Sequence, residues 1–562
     1  MWCQYHDELM QQIRVTQRQL TIFSTEGYLE KNIDRDNTFS HEEIVISQPM
    51  SLHFQTYTLR DYIQDVETIG LEQTWNRICD YVLTQQPIAS PLLQPDAFGA
   101  LYEQGLAIRN KQQKKDSGQY YTPKDVALVM SRWLLDCKGD NICDVACGTG
   151  NLILTFLDLI GINNARKIIQ EGRLYLYDVD IVALRICKTS LAVKYGVDIA
   201  DKIHAYCCDF LDHRVVLPPH AKVISNPPFA AVTKYEDSWM ISDVLATTRE
   251  FYAAFMEKIC TQAESAVIIT PFSFISGNKF YTLRKQMCDK GSGFIVSFDN
   301  VPGNIFNGKK QGVFNTNTAN SVRAAITVFS QNKPQRGFRT SHLIRFKTSE
   351  RPKLLNNAQL ESFLSSEYQC VNAEKPMFGK VDRRLNGVYN RWRSRSSTTL
   401  KALLTQRGKY IVSMPNTCRY FTVASNKEMN RRGQIILSFN DIDVFHYVFC
   451  LLNSSFAYWH WRIYDGGITY PIGLLEQMPV FFDKLSADDK VFFGRTAAEM
   501  IAKEQEFIVT MKNVGVQENI KYPREYRDSI NRRFLDILGI KDHVSIFDVV
   551  HSNMALQINI SI

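Results

Sequence analysis

The segment Asn226-Pro227-Pro228-Phe229 holds the most specific chemistry in this sequence. It follows the short apolar run Val223–Ser225. Proline donates no hydrogen bond to a sheet ladder, so a strand here must end at the tetrapeptide. Two consecutive prolines stiffen the turn. The stiff turn aims two acceptors, the Asn226 side-chain oxygen and the Pro227 carbonyl, and leaves Phe229 to stack on a flat ring. Strand ends of this kind are where open α/β sheets hold their ligands.

A second set lies upstream. The apolar run Ile142–Val145 enters Ala146-Cys-Gly148-Thr-Gly150-Asn151, and an apolar stretch at 152–157 follows. Gly148 and Gly150 allow a sharp turn and a close backbone approach to a ligand. The helix start behind them offers free N–H groups to an anionic part. This is neither the G-x-G-x-x-G dinucleotide pattern nor a P-loop, because no Gly-Lys-Ser/Thr follows. A second run, Leu174–Tyr177, ends at Asp178, placed to accept hydrogen bonds from ribose hydroxyls. A third ends at Asp209-Phe210, suited to bond an exocyclic amine and cover a base. Three strand-end features in series point to an adenosine pocket.

These residues need a scaffold, and the hydrophobic pattern supplies one. Over about 120–330, seven apolar runs (142–145, 174–177, 203–207, 223–225, 266–269, 294–298 and 324–329) alternate with helical stretches at 123–136, 151–160, 181–194 and 249–263. Such alternation predicts a doubly wound α/β sheet. Residues 1–112 read as a mainly helical domain, 113–335 as the α/β domain and 336–562 as a mixed α/β domain, with 331–337 as linker. The chain has 562 residues, 45% hydrophobic and 22% charged, which is globular composition. It has no apolar run of membrane-spanning length and a polar, acidic start, so a soluble cytoplasmic protein without membrane contact is expected. Its 13 cysteines show no zinc spacing and read as reduced thiols, and no metal is expected.

The charge is uneven. Residues 1–110 carry 7 Lys+Arg against 15 Asp+Glu, whereas 331–480 carry 22 against 10. Asymmetry of this kind predicts a polyanion partner for the basic part. Its densest stretch, 380–409, contains Arg383, Arg384, Arg391, Arg393 and Arg395, interleaved with Tyr389 and Trp392. It reads either as a phosphate-tracking surface or as a solvated basic face.

Taken together, the motifs resemble class I S-adenosylmethionine-dependent DNA adenine-N6 methyltransferases, in particular the restriction-modification type with a C-terminal target-recognition domain. The resemblance runs over about 97–330, with fewer motifs beyond. Asp144-Val-Ala146-Cys-Gly148-Thr-Gly150 resembles the family's cofactor loop. Asp178 resembles its ribose-binding acid, Asp209-Phe210 its adenine-binding pair and Asn226–Phe229 its catalytic motif. Gly118-Gln-Tyr-Tyr121-Thr122-Pro123 resembles the motif that binds the cofactor's carboxylate. Thr122 is also predicted to cap a helix that has Pro123 at its first position and Asp125 three residues on. Phe306, ahead of an apparent insertion at 311–321, matches a second base-stacking ring. Residues 448–480, with Leu-Leu-Asn-Ser-Ser followed by aromatics, resemble the recognition domain.

The resemblance implies a seven-stranded Rossmann-like methyltransferase sheet and S-adenosylmethionine as cofactor. It also implies transfer of a methyl group to N6 of a flipped-out adenine in double-stranded DNA. The sulfonium methyl is itself the electrophile, so the protein must bind, orient and aim the amine's lone pair. The amine is out of reach inside a duplex, hence the flipping. Residues 1–110 show no Pro-Asp and Glu-x-Lys nuclease constellation, so a separate restriction endonuclease or defence-system partner is expected. RNA or a protein glutamine amide as substrate, and a modification subunit that needs a separate specificity subunit, are the alternatives.

Overall fold

The computed structural model describes residues 54–84, 88–109, 122–239, 241–306, 322–331, 337–369, 377–511, 517–541 and 547–556. The chain divides into two compact units, Met1–Lys111 with Thr189–Val197, and Gln112–Lys188 with Asp198–Ile562.

In the first unit the helices Leu59–Thr68, Leu71–Thr84 and Pro95–Arg109 agree with the helical reading. Trp75 is fully buried among Tyr62, Phe98 and Tyr102, and its indole N–H donates to the Tyr62 hydroxyl at 3.1 Å. Gly105 is required there, because a Cβ would lie 2.3 Å from both Leu71 and Tyr62.

In the second unit all seven predicted runs are strands. They are β1 (Asn141–Asp144), β2 (Leu174–Asp178), β3 (His204–Cys207), β4 (Ala221–Ser225), β5 (Ser265–Pro271), β6 (Ser292–Phe298) and β7 (Ala324–Ser330). An eighth, β8 (Gly337–Ile344), completes a mixed sheet in the order β3-β2-β1-β4-β5-β7-β6-β8. Strands β3 to β5 are parallel, β7 runs antiparallel to β5 and β6, and β8 is parallel to β6. β4 is buried throughout and β5 at all but its last residue. Burial on both faces is what makes such strands read as unbroken apolar runs.

The eighth strand corrects the seven-strand expectation and shows that the sheet continues past 335/336. Its sequence, Gly-Phe-Arg-Thr-Ser-His-Leu-Ile, hides a strand behind polar residues. Thr340 and Ser341 are buried because they have partners: the Thr340 hydroxyl donates to the Gly379 carbonyl at 2.7 Å, and Ser341 Oγ accepts from the Ser297 N–H at 2.9 Å.

The remainder of this unit is built on the helical hairpin Ile442–Leu452 and Ser455–Tyr464. Its residues Tyr447–Leu452 and Ser455–Ile463 are all buried. The Leu-Leu-Asn-Ser-Ser element is the turn of this hairpin. Asn453 exchanges hydrogen bonds with the Ala424 backbone, and Ser454 caps the second helix. The stretch that resembles a recognition element is thus the core of this region. One charge cluster joins it to the sheet. Asp299, just past β6, is bound by Arg323, Arg345 and, from the second hairpin helix, Arg462. Burial alone would raise the Asp299 pKa, but Arg462, Arg323 and Arg345 outweigh it and hold the carboxyl well below its usual range. Among the described residues no helix is long and apolar enough to cross a membrane.

Candidate functional site

The strand order brings the predicted residues to one edge. β3, β2, β1 and β4 are neighbours, and Asp209, Asp178, Asp144 and Asn226 lie at or just beyond their carboxyl ends. Gly148 has φ +50° and Gly150 φ +90°, so the turn after β1 uses the left-handed backbone that glycine tolerates. A Cβ at Gly150 would lie 2.5 Å from Cys187 Sγ, so this glycine serves close packing. Among the described residues a Cβ at Gly148 would meet nothing within 4 Å, so the turn is open toward them. Ala146 donates its N–H to Asp144 Oδ1 at 3.3 Å.

Asp144 is fully buried, and its Oδ2 has no hydrogen-bond partner among the described residues. Burial pushes its carboxyl up to about 8. An unsatisfied buried oxygen costs free energy, and an incoming donor relieves that cost. Asp178 is half-buried. Its Oδ2 accepts from the Gly148 N–H at 2.7 Å and its Oδ1 from the Asp180 N–H at 2.9 Å. Burial raises its pKa, and those two N–H groups oppose the rise. Asp178 therefore fixes the glycine turn as well as facing the edge.

Asp209 accepts from the Leu211 N–H at 2.9 Å and from Trp239 Nε1 at 2.6 Å. Phe210 corrects the expectation of a base-covering ring. It is 1% exposed, it packs against Tyr177 and Phe255, and the Lys258 ammonium sits 4.8 Å from its centroid. Its neighbours leave it no face for a ligand. Gly118 and Tyr121 lie outside the described residues, as does the insertion at 311–321.

Thr122 is a second correction. Helix Lys124–Leu135 starts after Pro123 without a side-chain cap. The Thr122 hydroxyl instead accepts from Asn226 Nδ2 at 3.0 Å, and its carbonyl accepts from Asn151 Nδ2. Thr122 thereby holds the Asn226 amide at its nitrogen, with the oxygen on the opposite side. Pro227 is buried, while Pro228 and Phe229 are half-buried. Phe229 and Phe306 meet edge to face, centroids 5.6 Å apart at 70°, although 77 residues separate them in sequence. The two candidate rings are thus brought together in direct contact.

The basic residues are less free than their count implied. Arg384 pairs with Asp382 at 2.7 Å, and Arg391 donates to the Gly539 carbonyl at 2.6 Å. Arg393 lies over the Tyr389 ring and donates to its hydroxyl, and Arg395 reaches the Lys484 carbonyl at 3.5 Å. Arg383, Arg391, Arg393 and Arg395 are exposed, whereas Trp392 is core.

Residues 93–362 match the sequence model of the family N-6 DNA Methylase. A type I restriction enzyme MpnII methylase subunit from Mycoplasma pneumoniae is 21% identical over 270 residues, 43% of this chain and 45% of that protein. The type II methyltransferase M.VspI from a Vibrio species is 30% identical over 162 residues, 28% of this chain and 36% of that protein. The chain thus spans under half the length of these relatives. Among solved structures, DrdV in complex with DNA has 13% identity and a TM-score of 0.45, covering 80% of this chain and 65% of that one. The family whose motifs the sequence resembles is thus also the one whose model matches residues 93–362.

Proposed function

We propose that the chain transfers a methyl group from S-adenosylmethionine to N6 of a flipped-out adenine in double-stranded DNA, as the modification component of a restriction-modification or related defence system. The observation that carries this reading is the shared edge, which sets Asp144, Asp178 and the open Gly148 turn beside Asn226 and the Phe229–Phe306 pair.

The residues fit the cofactor. The open turn at Gly148 offers a cradle, and Asp178, at the end of β2, would hold the ribose. When bound there, the cofactor supplies an electrophilic methyl. Asn226 Oδ1 and the Pro227 carbonyl then accept the two N–H bonds of the target amine. The amine pyramidalises and its lone pair turns toward the methyl. Thr122 holds the amide nitrogen and the stiff Pro227-Pro228 turn holds the backbone, so the acceptors are preorganised. Phe229 and Phe306 separate to hold the base. Double-stranded DNA is the partner that the basic 331–480 region favours. The first relative is named a methylase subunit, which favours a second form of this reading, in which a specificity subunit selects the site.

The test incubates the protein with labelled cofactor and separate pools of unmethylated DNA, RNA and protein. Label in DNA adenine supports the proposal, and label confined to RNA or to protein glutamine overturns it.

A further inference from the structure

Arg351 holds two parts of this edge at once. Its Nε and Nη2 donate to the two carboxylate oxygens of Asp125 at 2.6 and 2.9 Å. Its Nη1 donates to the Asn304 carbonyl and its Nη2 also to the Ile305 carbonyl, both at 2.8 Å. The side chain is only 11% exposed. The Asp125 carboxylate is 44% exposed, so water screens that end of the pair, while the two carbonyl contacts are part-buried.

What Arg351 joins gives this geometry its meaning. Asn304 and Ile305 immediately precede Phe306, whose N–H is held by Asn304 Oδ1 at 2.8 Å. Asp125 lies in the first turn of helix Lys124–Leu135, three residues after Thr122, which orients Asn226. The contacts close a circuit: Asn226 to Thr122, along the chain to Asp125, across Arg351 to Ile305 and Phe306, and through Phe229 back to Asn226. Both sides of the circuit have ties other than Arg351. The 351–361 segment is also tied to the helix by Asn357 Nδ2 on the Val129 carbonyl at 3.0 Å and by Trp133 Nε1 on Glu361 at 2.6 Å. Gly303 donates its N–H to the Phe346 carbonyl at 2.8 Å.

We infer that Arg351 is a positioning residue that sets Phe306 against Phe229 and couples the base-holding ring to the turn orienting Asn226. The inference rests on the proposed adenine site. A lysine can pair with Asp125, but it lacks the planar fork that serves a carboxylate and two carbonyls together.

The test is a double-mutant cycle. Methyl transfer to long, PCR-amplified DNA of mixed sequence is followed at saturating S-adenosylmethionine for wild type, Arg351→Lys, Phe306→Ala and the double variant. Arg351→Lys should lower kcat about tenfold and leave cofactor affinity unchanged. In the Phe306→Ala background the same exchange should cost less than about twofold, because its route is already removed. Equal losses in both backgrounds, or a parallel loss of cofactor affinity, would overturn the inference. A second measurement needs no activity. With fluorophenylalanine incorporated, the Phe306 resonance, assigned by Phe306→Leu, should move in Arg351→Lys; an unmoved resonance also overturns it. If wild type transfers no methyl to DNA, the proposed function fails, and the fluorine spectrum still decides whether Arg351 sets the ring.

Discussion

The strand ends of β1 to β4 and the basic stretch at 380–409 both stand out in sequence, yet the fold treats them differently. At the strand ends the motif residues converge, and their polar atoms are held by nearby groups: Asp178 by the Gly148 N–H, Asp144 by the Ala146 N–H, and Asn226 by the Thr122 hydroxyl. In the basic stretch much of the charge serves the protein itself, on Asp382, on Tyr389 and on the carbonyls of Gly539 and Lys484. Lys380, at its start, is 2% exposed and lies over the Phe272 ring, and burial lowers its pKa to about 7. The lesson is physical. A strand end fixes the place of a residue to within an ångström or so, whereas a run of arginines fixes only composition.

The sharpest way to break this contrast is at Asn226. Asn226→Ala removes one amine acceptor and leaves the glycine turn intact, so methyl transfer should fall about a hundredfold or more. Cofactor affinity, read by calorimetry, should be nearly kept. Turnover within about tenfold of wild type would remove Asn226 from the chemistry.

Asp178→Ala should act on binding instead. It deletes a charged acceptor and releases the Gly148 N–H, so cofactor affinity should drop roughly ten- to hundredfold. An unchanged calorimetric isotherm would place the ribose partner elsewhere.

The basic stretch is tested by salt. Replacing Arg391, Arg393 and Arg395 together with glutamine should flatten the slope of log DNA affinity against log salt by up to about three, near 0.9 per phosphate contact. Each of these arginines already donates within the protein, so a smaller change would mean that internal bonds hold them. No change in slope or affinity returns the stretch to a solvated face.

The smallest effect is at Asp144. The unfolded carboxyl ionises above 3.8, but the buried one does so only near 8. Raising pH through that interval therefore favours the unfolded chain. Asp144→Asn removes this penalty. Without ligand, the variant should melt on the order of a few degrees above wild type at pH 8. The gap should close as pH falls to about 4. A gap independent of pH would show that Asp144 is already ionised in the fold.

The parts of this molecule that were legible in sequence share one property. β1, β2, β4 and β5 are short apolar runs with a turn residue or an acid at their ends, and burial on both faces leaves no other reading. β8 was missed because its polar residues are satisfied by partners far along the chain, Gly379 and Ser297, which no local pattern shows. Thr122 was read as a cap because its neighbours Pro123 and Asp125 form a cap pattern, while its real partner lies 104 residues away. Phe210 matched a motif by position, but its exposure depends on Lys258, Tyr177 and Phe255. Arg351 carried no signal at all, since a lone arginine shows its worth only when two carbonyls and a carboxylate converge on it.

The central claim is that the strand-end site methylates adenine N6 in duplex DNA. It is tested most directly by sequencing modified bases in unmethylated DNA incubated with S-adenosylmethionine and either wild type or Asn226→Ala. The account predicts N6-methyladenine within one recurring sequence for wild type and almost none for the variant. Methyladenine made equally by both proteins, or methyl groups recovered only from RNA or protein, would contradict it.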